Sequence, residues 1–444
     1  MFGIEIERGF TIRMEEAMRS IGIICEYNPF HNGHARQLRL ARELAGESCA
    51  IVCLMSGNYV QRGAPAVFPK AVRAEAALRC GADLVLELPV TAALSSAEGF
   101  ASGGVGILSA LGCTELCFGT ETEDFGALRR SAEANLDSSF DALLRTELGS
   151  GCSYPAARQR ALERLGAGAG LRSPNDILAV EYLKALLRQN SAMRPLPIRR
   201  TGSYHATELD MENPSATAIR AAIERDCRDE HCSSAIRNEC DLPKTDPMIG
   251  SLCADKQCLS LQTRSEAAAW RAAVPACLHA LYAAAPIHSW QAGERAALAI
   301  LRTLPDAAFE GLPYGAEGLW SRLMKNCRRC ASTEEILFQT VSKRYPRTRI
   351  QRMLLCAILG LTAEDLAAPA PYARILGFSD TGRSLLREMK PRFPLVNAGE
   401  RPADAAYWAL EWRTAELYSL FSAEGPRPGG EEARQRVFYR SENG

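Results

Sequence analysis

The sequence predicts an α/β fold: a doubly wound, Rossmann-like parallel-sheet domain followed by a mostly α-helical domain. Three observations predict it. Short apolar runs alternate with helical patterns through the first half of the chain, the rhythm of a parallel sheet with helices on both faces. Those runs are continuously apolar, as strands buried on both faces are. Beyond about residue 264 they give way to Ala-, Leu- and Arg-rich helical patterns.

Taken in order, the strand candidates are Ile21–Glu26, Ala50–Met55, Asp83–Leu88, Glu115–Phe118 and Leu196–Arg199. Between them, Ala35–Leu44, Lys70–Cys80 and Ala97–Leu111 read as helices. Gly81 and Gly112 stand where glycine ends a helix, and Pro89 closes the third strand. Residues 1–20 form an extension ahead of the first core strand, with Met14 as a second candidate start. The first domain then spans 21–226. Residues 227–263 are polar, Cys-bearing and aperiodic, the marks of a linker or insertion. The helical domain occupies 264–444. In it, Ser332-Thr333-Glu334-Glu335 has the form of a capping box opening a helix towards Lys343. Pro346 ends that helix, a second covers about Thr348–Leu359 with Gly360 as its stop, and Ala405–Phe421 is a further amphipathic helix.

At 444 residues the chain exceeds one ordinary domain. No apolar stretch is long enough to span a bilayer. The first twenty residues lack the apolar core of a signal peptide. A cytoplasmic protein without a membrane partner is expected, and its 16 cysteines read as free thiols. Cys25, Cys53, Cys113 and Cys117 lie in or beside apolar runs and suit small core residues. Cys327-x-x-Cys330 is a lone pair, and Cys227, His231, Cys232 and Cys240 are loosely spaced. Neither group supplies four well-spaced zinc ligands, so no metal ligands are assigned. The net charge is zero, so any nucleic-acid site must come from local clustering. Nothing in the sequence fixes the oligomeric state.

The chemistry concentrates in Glu26-Tyr27-Asn28-Pro29-Phe30-His31-Asn32-Gly33-His34, between a strand and a helix start. A helix N-terminus offers N–H groups and a partial positive charge, which suit a phosphate. Gly33 allows close backbone approach, and each imidazole can donate a hydrogen bond to a phosphate oxygen. Two histidines in a surface turn are the plain alternative. A second motif, Asn213-Pro214-Ser215-Ala216-Thr217-Ala218-Ile219-Arg220, opens a later helix. There Ser215 and Thr217 can cap the helix or reach a phosphate, and Arg220 can neutralise a leaving pyrophosphate. Lys70 and Arg73 share a helical face that is either catalytic or merely solvated. Gly119 ends a strand where a nucleotide can approach, and Asn175 is either a cap or a nucleotide contact. Finally, Lys343, Arg344, Tyr345, Arg347, Arg349 and Arg352 put five cations, one aromatic and no carboxylate into ten residues. Cations for phosphates and an aromatic for stacking suit an RNA surface; a solvated basic helix end is the alternative.

His31-x-Gly33-His34 resembles the signature of the adenylyl-transferring nucleotidyltransferases, and Ser215-to-Arg220 is similar to their late phosphate motif. The longer opening from Gly22 to His34 resembles the bacterial tRNA(Met) cytidine acetate ligase family. So do Met55-Ser56-Gly57, Gln61-Arg62-Gly63, Lys70-x-x-Arg73-Ala74-Glu75, Glu87-Leu88-Pro89, Cys117-Phe118-Gly119, Ser173-Pro174-Asn175-Asp176 and Lys343–Arg352. The similarity runs from Ile21 to about Phe378; the first twenty residues and the Cys-bearing insertion depart from it.

The resemblance implies a ligase that activates acetate with ATP and acetylates N4 of the wobble cytidine in elongator tRNA(Met). It implies an ATP site built from Ile24, Cys25, Glu26, Tyr27, Asn28, Pro29, Phe30, His31, Asn32, Gly33, His34, Ala35, Arg36 and Gln37, with Gly119, Asn175, Arg200 and, beside it, Arg199. Acetate attack on an α-phosphate requires positioning and charge stabilisation, not a protein nucleophile. His31, His34, Lys70 and Arg220 are the candidates to supply them, together with Mg²⁺. The competing expectation is a small-molecule adenylyltransferase making a nucleotide cofactor, which has no use for the basic cluster. A non-catalytic RNA binder is the third, disfavoured by the intact histidines and Arg220.

Overall fold

Ile21, Ile23 and Cys25 of the first strand face one apolar cluster while Ile24 faces another. The next strand repeats the pattern, with Ile51, Cys53 and Met55 on one side and Ala50, Val52 and Leu54 on the other. Both strands are buried throughout, so both faces of the sheet are covered. The structure is a computed structural model that describes residues 18–46, 48–171, 173–200, 214–226, 269–390 and 392–441. The expected N-terminal extension up to residue 17 and the whole 227–263 insertion, with its cysteine cluster, lie outside the described residues.

The first half follows the predicted order. Strand β1 (Ser20–Cys25), helix α1 (Asn32–Ala45), strand β2 (Ala50–Ser56), helix α2 (Lys70–Arg79) and strand β3 (Leu84–Leu88) come first. Helix α3 (Ala97–Leu111), strand β4 (Glu115–Thr120), helix α4 (Pro174–Arg188) and strand β5 (Arg194–Arg199) follow, then helix α5 over 216–226. Three further helices, Phe125–Ala134, Phe140–Gly149 and Tyr154–Arg164, sit between β4 and α4. Helix α3 lies close on β1. A Cβ at Gly104 would stand 2.5 Å from Ile24 Cδ1, and one at Gly22 would stand 2.6 Å from Leu108 Cδ1. Glycine at both positions permits the approach.

The second half is mostly helical, with three short strands added. Helices α6 (Trp290–Thr303), α7 (Leu319–Arg329), α8 (Thr333–Thr340), α9 (Arg347–Leu359) and α10 (Ala405–Ser419) share their own apolar cluster, into which Cys327 and Cys330 pack as thiols. Helix α8 stops at Thr340 rather than running to Lys343. Three strands, β6 (Ala373–Ser379), β7 (Leu395–Asn397) and β8 (Phe438–Arg440), then return to the sheet. The order is β8-β6-β3-β2-β1-β4-β5, with β7 beside the first residues of β6. Strand β6 runs antiparallel to β3, with Leu84 opposite Phe378. These late strands join the sheet begun by the first half, and β6 covers the edge that β3 would otherwise leave open.

A buried ionic knot joins the halves. Lys70 Nζ lies 2.7 Å from Glu87 and 2.8 Å from Glu432. Arg374 pairs with Glu411 at 2.6 Å and with Glu432 at 3.3 Å. Burial pulls the Lys70 ammonium down, but Glu432 and Glu87 outweigh it and raise its pKa. Burial pushes Glu87 up to about 7, against the pull of Lys70.

Candidate active site

His31 is the N-cap of α1, in an extended conformation that breaks the helix. Its Nδ1 accepts the Gly33 N–H at 3.1 Å, and His34 Nδ1 accepts the His31 N–H at 3.2 Å. This reciprocal pair is a capping box made of imidazoles instead of Ser and Glu. The rings stack with centroids 3.7 Å apart. Because both Nδ1 atoms accept, each neutral ring carries its proton on Nε2, an assignment that follows from the bonding pattern. A Cβ at Gly33 would stand 3.0 Å from His31 Cε1, so glycine makes room for the imidazole to fold back.

The helix start is not the open anion nest that its sequence suggests. The Asn32 N–H donates to Ala273 O at 3.0 Å, and the His34 N–H donates to His31 O at 2.9 Å. With the His31 and Gly33 amides capped, the donors left for a phosphate are the two Nε2–H groups and nearby arginines. Burial, then Arg200 and Arg220, lowers His31 to about 3. Burial, then His31 and Arg200, lowers His34 well below the usual imidazole range. Both rings are neutral donors, not cations, until an anion joins them.

The loop ahead of the histidines is held from three directions. Arg220 donates to Asn28 O at 2.6 Å and to Thr217 Oγ1 at 3.2 Å. Ser215 Oγ accepts the Ala218 N–H at 3.4 Å and so caps α5. Tyr282, from the short helix His279–Ala284, donates to Phe30 O at 3.1 Å. Asn28 Oδ1 accepts the Val67 N–H, and the Asn28–Pro29 peptide is cis. Tyr27 and Phe30 are buried with their rings against His34. Arg73, wholly buried, donates to the carbonyls of Phe68, Glu26, Ser56 and Gly57 and so ties the ends of β1 and β2 together. Glu26 accepts the Gln61 N–H at 2.6 Å; burial raises its pKa against Arg220, Arg62 and Arg73.

Other predicted residues sit around this loop. Gly119 lies under the Arg200 side chain, where a Cβ would meet Cδ at 3.0 Å. Asn175 donates to Glu121 at 2.7 Å, and Asp176 accepts the Glu121 and Thr122 N–H groups, fixing the loop after β4. Arg199 pairs with Glu123 in the same loop. Ile24 and Cys25 are core residues whose role is to seat the loop. Ala35 packs against the core, Gln37 reaches Cys117 Sγ at 3.8 Å, and Arg36 lies on the same first turns of α1.

Lys70 is enclosed between Glu87 and Glu432, only 3 % exposed, and the two carboxylates balance its charge in the ligand-free protein. Sequence reasoning missed Tyr282 and the carbonyls of Ala272 and Ala273, which grip Asn32. Backbone acceptors some 240 residues away leave no signal in a single sequence.

The basic cluster divides. Lys343 and Arg344, in the turn before α9, and Arg347, its first residue, are exposed. Arg349 donates instead to Tyr314 O at 2.6 Å and lies over Tyr345, while Arg352 lies over Tyr314 and reaches Gln61 O. Burial lowers both guanidinium pKa values. Both side chains, half-buried, tie α9 to neighbouring segments. The missing carboxylates arrive from elsewhere: Glu317 meets Arg344 and the Tyr345 hydroxyl, and Glu334 grips Arg347 at 2.5 and 2.8 Å.

The family model of the HIGH nucleotidyl transferases matches residues 18–430. A tRNA(Met) cytidine acetate ligase of Acetivibrio thermocellus is 34 % identical over 395 residues, covering 85 % of this chain and 88 % of its own. The chain belongs to the tRNA(Met) cytidine acetate ligase family. Another member, from Alkaliphilus metalliredigens, is 34 % identical over 96 % of this chain and 100 % of its own length. The crystal structure of Thermotoga maritima TmcAL bound with alpha-thio ATP superposes with a TM-score of 0.77 at 29 % identity, covering 96 % of this chain and all of that one. The two chains therefore share the doubly wound fold over nearly the whole of this chain. Among the described residues no helix is long and apolar enough to cross a membrane.

Proposed function

We propose that this ligase-family enzyme activates acetate with ATP and transfers the acetyl group to N4 of the wobble cytidine of elongator tRNA(Met). The observation that carries the reading is the pair of neutral imidazoles locked by the Gly33 and His31 amides. Burial is the main cause that lowers both pKa values; Arg200 adds to it at both rings and Arg220 at His31. Donors and cations converging on one loop suit a triphosphate.

In the first step an acetate oxygen attacks the α-phosphorus and pyrophosphate leaves. His31, His34 and Arg220 bind the phosphates and stabilise the growing negative charge. In the second step the cytosine N4 attacks the acetyl carbonyl, loses a proton, and AMP leaves. A ring-delocalised amine is a weak nucleophile and needs a leaving group as good as a phosphate. Mg²⁺ would accompany the triphosphate and offset part of its charge; among the described residues no group of three or more His, Cys, Asp or Glu could hold a metal. The wobble base is unpaired and enters a pocket without opening a duplex. The exposed cations Lys343, Arg344 and Arg347 are the proposed phosphate contacts of the tRNA.

The test is nucleoside mass analysis of tRNA(Met) after incubation with ATP, acetate and the protein. A cytidine heavier by one acetyl group is expected. Unmodified cytidine, with acetyl-adenylate forming, would favour the cofactor-synthesis alternative.

A further inference from the structure

Phe338 is 75 % exposed, the most exposed large apolar side chain among the described residues. Helix α8 does not need it for packing, since Thr333, Ile336, Leu337 and Thr340 form the buried face. Guanidinium groups flank its turn. Arg322, from α7, donates to the carbonyl of the adjacent Gln339 at 2.7 and 3.2 Å. Arg347 grips Glu334, four residues earlier and so one turn away on the same face. Lys325, Arg329, Lys343 and Arg344 are exposed on the neighbouring segments. In a chain of zero net charge, this is a local excess of cations around an isolated ring.

We propose that Phe338 is a stacking platform for an unpaired base of the bound RNA, with Arg322 and Arg347 beside it to meet the flanking phosphates. The proposal rests on the reading of this face as the tRNA surface and adds a residue from outside the basic run. A base offers a π-face to an exposed ring, while cations hold the backbone on either side. A second copy of this chain is a poorer occupant, because a stable protein interface needs roughly 1,000 Å² with an apolar centre, and one ring among charges does not supply it.

The test is tRNA(Met) titration against four variants. Phe338→Ala should weaken binding about tenfold or more with an unchanged salt slope. Phe338→Trp should retain affinity, and Phe338→Leu should not, since stacking needs a flat ring. The double variant Arg344→Glu, Arg347→Glu should weaken binding and flatten the salt dependence. Melting temperatures serve as the folding control, because so exposed a ring does not set them. Wild-type affinity in Phe338→Ala, or rescue by Leu equal to rescue by Trp, overturns the stacking role while leaving the RNA surface standing. An unaffected charge-reversed variant overturns the RNA surface itself, and the Phe338 proposal with it. A change in sedimentation of Phe338→Ala at unchanged tRNA affinity assigns the ring to self-association and overturns the proposal.

Discussion

Two imidazoles that cap each other are also two imidazoles that keep each other neutral. His31 and His34 resist protonation because they are buried, with Arg200 acting on both rings, Arg220 on His31, and His31 on His34. In the ligand-free protein, ring NMR signals of both histidines should show no titration between about pH 7 and about pH 5; a midpoint near the ordinary imidazole value would contradict the geometry. Since their folded pKa values lie below the unfolded ones, their contribution to stability is intact above about pH 6.5 and declines as pH falls, for His31 towards about 3. Bound polyphosphate should reverse the effect by favouring the charged rings. His34→Ala removes one preorganised donor and should lower acetate-dependent pyrophosphate exchange by about two to three orders of magnitude. Exchange at the wild-type rate would remove this histidine from the mechanism. The pair was legible in the sequence; its neutrality was not, because it comes first from burial by distant segments and only then from arginines on other elements.

At the scale of elements, strands β1 to β5 and helices α1 to α3 lay within a few residues of where apolar runs and glycine stops placed them. Their signals are local. Strand β6 was missed because its pattern is cut by Arg374, a buried charge that only makes sense beside Glu411 and Glu432. The burial of Lys70 was hidden for the same reason: its partners come from β3 and from the short helix Glu431–Arg434. Removing one member should expose the dependence. Glu432→Ala leaves two buried cations short of a carboxylate and should cost about 3–5 kcal/mol in a denaturant titration. A loss below about 1 kcal/mol would show that the knot is solvated. Glu87 behaves in the opposite sense to the histidines. Its folded pKa, about 7, lies above the unfolded one. Its contribution is complete below about pH 4.5 and lost as pH climbs through about 7. Wild-type stability should therefore carry a downward step across that range, and Glu87→Gln should flatten it.

At the scale of the molecule, the catalytic loop is assembled from distant sequence. The Asn32 amide is held by Ala273, Phe30 by Tyr282, and the open edge of β3 by β6. A fragment of residues 18–226 lacks all three supports. It should fail to bind ATP and should aggregate through the uncovered β3 edge; a monomeric, ATP-binding fragment would show that the first half is self-sufficient. The expectation of two successive domains came from composition, which registers helices and strands but not which strand waits for which partner.

That sheet order also sets a timetable for synthesis. Leu84 pairs with Phe378, so β3 leaves the ribosome about 290 codons before its neighbour exists. At ~5–20 residues per second the nascent edge stays open for roughly 15–60 s, while β1, β2, β4 and β5 can already be in register. The catalytic half is thus among the first parts made and among the last to be finished.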